Sequence, residues 1–255
     1  MTIAASIAPA SAERAPHRFF VAMSGLLLAI VVIGFAPSFY LRAHFAPLFP
    51  QMGAPTLPGY LYVHGAILTT WYTLLFVQAT LIRARRVDLH KTVGVVGAVV
   101  AIGVLAASSV VLGNAAPRLV ASGTPLQGVS AVIFGDIFTL ICFATFVATA
   151  ISLRRRSEAH KRLMLLASIV IVGPALSRWK FFPIYFGEPQ AGDGYVALAQ
   201  LGLLLALPAY DLVSRRRVHP ASAWGVAGVV LGSLPVNVFI MSDRALAIVE
   251  RFAQG

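Results

Sequence analysis

One pattern constrains this chain more than any other. An apolar run ends in a basic triplet, passes a histidine and returns as a second apolar run, and this happens three times. The first instance lies in Tyr60 to Gly97, YLYVHGAILTTWYTLLFVQATLIRARRVDLHKTVGVVG, with Arg83, Arg85 and Arg86 before His90 and Lys91. The second is Arg154-Arg155-Arg156-Ser-Glu-Ala-His160-Lys161, and the third is Arg215-Arg216-Arg217-Val-His219-Pro220. Apolar runs of about twenty residues are what a helix needs to cross some 30 Å of hydrocarbon. Basic turns between such runs are the topology signal of membrane proteins.

Seven such runs occur, at about 19–41, 59–82, 92–112, 129–153, 162–182, 195–213 and 223–241. The expected fold is therefore all-α, a polytopic bundle of seven transmembrane helices. The sequence divides into a disordered cytoplasmic tail over 1–18, a transmembrane domain over 19–242 and a short external tail over 243–255. The first run is too long for a signal-peptide core, so it is read as a retained helix. Fourteen of the 20 Lys and Arg residues fall in the N-terminal tail and the loops after the second, fourth and sixth helices. The positive-inside bias then predicts a cytoplasmic N-terminus in a bacterial inner membrane.

Composition decides between two readings of the charge. The formal net charge is +11, a value that also suits a nucleic-acid binder. Yet 58% of residues are hydrophobic and only 11% charged, with mean hydropathy +0.83, and no basic soluble domain exists to carry a nucleic acid. The expected partner of the basic loops is the anionic headgroup layer of the bilayer. The single cysteine, Cys142, lies within an apolar run, which excludes an intrachain disulfide and a cysteine-rich zinc site. HExxH, GxxxxGK[ST] and GxSxG are all missing, and the seventh helix has no lysine for a retinal Schiff base. No motif specifies a metal.

Ionisable and amide side chains inside a span are costly and therefore candidates for function. His64 and Asp136 lie in the outer third of the second and fourth spans, and Ser177, Arg178, Gln200 and Asn237 fall at similar depth. These predict a polar vestibule on the external side, with Asp136 and Arg178 as an ion pair, since either alone is an uncompensated charge. His64, Trp71 and Gln78 recur every seven residues, so they share one face of the second helix. Gly228 and Gly232 form a GxxxG pair in the seventh helix, a candidate face for a homo-oligomer. Pro174, Pro208 and Pro235 predict kinks in the last three helices.

His90 and His160 open the third and fifth spans in matching contexts, Leu-His-Lys and Ala-His-Lys-Arg. Two imidazoles at equal depth on different helices are the ligand set of a b-type haem. At these residues, HGAILTTWYTLLFVQ, DLHKTVGVVG and EAHKRLMLLAS together resemble a large group of bacterial multi-pass membrane proteins without an established activity. The resemblance covers about residues 20 to 180. More distantly, the pattern is similar to the di-haem transmembrane cytochromes b, whose ligands come from four successive helices. That resemblance implies His90 and His160 as one ligand pair and His64 as half of a second, although the fourth helix has no histidine to complete it.

Three functions follow as expectations. The first is a membrane protein acting through helix and partner contacts without enzymatic chemistry. The second is electron transfer by haem b held between His90 and His160. The third is a carrier of a small solute or proton through the vestibule of His64 and Asp136.

Overall fold

A computed structural model describes residues 15–47, 54–181 and 194–254. Of the tail expected over 1–18, residues 15–18 already belong to the first helix, and residues 1–14, 48–53, 182–193 and 255 lie outside the described residues. All regular structure among the described residues is helical, and seven helices are long and apolar enough to cross a membrane. In chain order the α-helices among the described residues are α1 (Ala15–Phe35), α2 (Arg42–Phe45), α3 (Gly59–Arg83), α4 (Val87–Gly113), α5 (Ala115–Ala121), α6 (Leu126–Ser152), α7 (Ser157–Val170), α8 (Gly173–Ser177), α9 (Gly194–Arg215), α10 (Pro220–Ile240) and α11 (Asp243–Gln254), with α7 and α8 together making the fifth span. A π-helical stretch, Ala36–Tyr40, extends α1, and a 3-10 turn, Arg178–Phe181, follows α8.

The hydrophobic logic is that of a bilayer solute. Val99, Ile102 and Val213 are exposed on the outside of the bundle at 65%, 69% and 87%, which water would penalise and lipid does not. The main core buries Leu27, Tyr72, Val104, Phe143, Leu166 and Leu207 fully. Helix α7 is the central member, lying against α1, α3, α6, α9 and α10. The three basic turns each join an antiparallel hairpin: α3 to α4, α6 to α7 and α9 to α10. They therefore gather at one end of the bundle, here the basic end.

Two expectations change. The fifth span is not one kinked helix over 162–182. It begins at Ser157, and its helix ends at Val170 before restarting at Gly173. Pro174 stands at the start of α8, where its missing N–H costs nothing, instead of inside a helix. The carbonyls freed at the break are taken by Gln200 of α9, whose Nε2 donates to Ile169 O at 3.1 Å and Val170 O at 2.9 Å. Pro208 and Pro235, by contrast, sit inside continuous helices. The expected external tail is also structured. Asp243–Gln254 is helical and lies on α5 and α6, burying Val249 against Ala116 and Val129.

Candidate functional site

The matching sequence contexts of His90 and His160 become matching structure. In each hairpin an arginine, Arg86 or Arg156, precedes the returning helix, an acid occupies its first turn, and the histidine amide donates to that arginine's carbonyl at 3.0 Å. The first hairpin turns through Arg85 in the left-handed region (φ 59°), and the third turns likewise through Arg216 (φ 55°). Because both histidines are the fourth residue of their helices, at the same end of the bundle, their rings meet. The centroids are 6.3 Å apart with the planes at 88°.

Hydrogen bonding then differentiates the two rings. His160 Nδ1 is 2.8 Å from the carbonyl of Ala150 at the end of α6. A carbonyl only accepts, so Nδ1 carries the proton and Nε2 keeps its lone pair free. His90 Nδ1 is buried without a partner, as is Oε1 of the neighbouring Gln78, whose Nε2 donates to His90 O at 3.2 Å. Gln78 also packs on Gly94, where an added Cβ would stand 3.3 Å from Nε2. Gln78 is thus the member of the seven-residue stripe that belongs with the histidine pair.

The rest of that stripe is dispersed. Trp71 does not line a vestibule. It is buried in the core, donates from Nε1 to Ser168 Oγ at 3.1 Å and meets the ring of Phe143 edge-on. Tyr72 beside it donates to Ser168 O at 2.9 Å. His64 lies near the opposite end of α3, half-buried, its Nδ1 without a hydrogen-bond partner.

The outer polar residues do not close into the expected ion pair. Arg178 donates to Pro174 O at 2.6 Å and lies over the Phe35 ring at 4.4 Å, and no Arg178 nitrogen is within 4.0 Å of the Asp136 carboxylate. Asn237 is exposed and donates to Ser233 O of its own helix at 2.8 Å. In the GxxxG pair, Gly232 is spent within the chain, 3.0 Å from the Phe138 ring to a would-be Cβ, whereas Gly228 faces open space.

Sequence reasoning passed over the strongest polar cluster. Arg162 of α7 and Asp211 of α9 are both fully buried, and Arg162 donates from Nε to Asp211 Oδ1 at 3.0 Å and from Nη2 to the same oxygen. Asp211 Oδ2 also accepts from Ser222 Oγ at 2.5 Å and His219 N at 3.1 Å, tying in α10. Glu158 receives Lys161, Arg162 and Arg215 at 2.6, 2.7 and 2.6 Å. The available signal was Asp211 itself, an acid four residues short of a basic triplet and still inside an apolar run. No group of three or more metal-ligating side chains occurs among the described residues. No family model matches this chain, and no curated protein or solved structure is similar to it.

Proposed function

We propose that this protein is a b-type haem membrane electron-transfer protein, with His90 and His160 as axial ligands at the basic end. The carrying observation is the ring separation. Two imidazoles on opposite sides of one metal, each nitrogen about 2 Å from it, put their ring centres roughly 6 Å apart. The 6.3 Å found here fits that spacing, and it is too long for a direct hydrogen bond between the rings. The donor chemistry fits as well. A carbonyl partner on Nδ1, as Ala150 provides for His160, is how proteins fix a ligating tautomer and raise its basicity. Among the described residues no third metal-ligating side chain joins the two histidines, a pair that would suit a haem iron better than a tetrahedral ion.

When bound, haem supplies a one-electron couple. The chain's own part is to hold both rings at one depth, anchor His160 through Nδ1 so that Nε2 is the nitrogen left for the iron, and surround the site with cations. Lys91, which follows His90, is exposed and in no ion pair with any described residue, and would face a propionate. Positive-inside bias makes the basic end cytoplasmic in this reading, in a bacterial inner membrane.

The test is an optical spectrum of the purified, detergent-solubilised protein before and after dithionite. A Soret band that shifts on reduction, with resolved α and β bands, is expected. His90→Ala and His160→Ala should each abolish it, and His64→Ala should not. Protein from haem-sufficient cells that absorbs only through its aromatic residues would refute the reading. A second reading, a cofactor-free protein acting through helix contacts, draws on the way Trp71, Tyr72, Gln200 and Asp211 are all taken up in joining helices.

A further inference from the structure

A groove of about 740 Å³ opens at the basic end between the end of α6 and the starts of α7 and α10. Its volume lies in the roughly 300–1,000 Å³ range of small-molecule clefts. One end is lined by Arg155, Arg156 and Ser157, and the other by Phe146, Leu163 and Trp224. We propose that this groove is a specific site for one anionic phospholipid, with the phosphodiester at the arginines and an acyl chain along the Phe146–Trp224 wall.

Four observations carry the assignment. The groove is amphiphilic along its length, so neither a free anion nor a plain hydrocarbon uses all of it. Arg155 and Arg156 are exposed, and neither is in an ion pair with any described residue, which leaves both positive charges for a ligand. The one carboxylate in the lining, Glu158, is already held by three cations and does not cancel them. No side chain caps α7, so the amides of its first turn face the polar end without a side-chain acceptor.

Trp224 fixes the depth. It is 79% exposed and lies in the first turns of α10, where an indole sits at the headgroup boundary and marks the interface. Basic pockets between transmembrane helices are sites where anionic headgroups bind. The floor is tight. A Cβ on Gly225 would collide with Leu166, so glycine keeps α10 close against α7 beneath the chain. The site shares no ligand with the histidine pair, so its fate is independent of the haem reading.

The experiment is native mass spectrometry of delipidated protein in detergent, titrated with phosphatidylglycerol or phosphatidylcholine of identical chains. One phosphatidylglycerol should be retained at least tenfold more tightly than phosphatidylcholine. The double variant Arg155→Gln/Arg156→Gln should lose about that factor, while Arg85→Gln/Arg86→Gln, an equal charge loss at another turn, should not. Millimolar inorganic phosphate should fail to displace the lipid. Equal retention of the two lipids, an equal loss in both double variants, or displacement by phosphate would each overturn the proposal.

Discussion

His219 shows how one side chain can carry several constraints. It caps α10, its Nδ1 accepting the Ala221 amide at 3.1 Å, while its own amide donates to Asp211. Burial, then Arg162 and Arg215, push its imidazole below the ordinary histidine value, and Asp211 and Glu158 only partly offset them. A lowered folded value means the unfolded chain binds more protons, so stability rises with pH across this range. The contribution is fully present above about pH 6.5, the unfolded value, and is lost as pH falls through the lower folded value. Protonation also removes the acceptor lone pair and places a cation at a helix N-terminus. A thermal melt in detergent should therefore drop between pH 7 and 5. His219→Asn, which can still cap, should flatten that dependence; an unchanged pH profile in the variant would refute the assignment.

Among elements, the buried Arg162–Asp211 pair joins α7 to α9 and, through Ser222, to α10. Removing one partner leaves the other charge stranded in the interior, a cost of about 3–5 kcal/mol for a buried pair. Arg162→Leu and Asp211→Leu should each lower stability by about that much. The double variant should cost less than the sum, because no bare charge remains. A double-mutant cycle on SDS-induced unfolding measures this, and simple additivity would show that the two residues do not act as a pair. The elements themselves were legible in the sequence, because hydropathy and the basic turns report directly on what a bilayer tolerates. The break in α7 was not. Pro174 signals a disruption, but whether a helix bends or stops depends on who takes the freed carbonyls, and Gln200 comes from another helix. The His90–His160 meeting was legible as equal depth on two spans, since depth follows from counting residues. That Asp136 and Arg178 fail to pair was not, since it depends on the rotation of α6 and on a turn after α8.

At the scale of the whole molecule, the three basic hairpins share one end, and the arrangement makes orientation a property of the complete bundle. The loops that end α3, α6 and α9 all turn at the end where α1 begins, and the start of α6 and the end of α10 lie together at the other, tied by Ser130 Oγ donating to Ile240 O at 3.0 Å. The orientation proposed from positive-inside bias predicts Arg155 in the cytoplasm and Ser122, in the turn between α5 and α6, outside. The native thiol, Cys142, is half-buried within α6, so a Cys142→Ala background gives clean single-cysteine reporters. In intact cells a membrane-impermeant maleimide should label Ser122→Cys and leave Arg155→Cys untouched until the membrane is permeabilised. The reverse pattern would invert the bundle and place the histidine pair at the outer face, where electrons would have to arrive from outside. Labelling of both positions in intact cells would break the seven-span count instead, because two turns separated by one helix cannot lie on the same side of a bilayer.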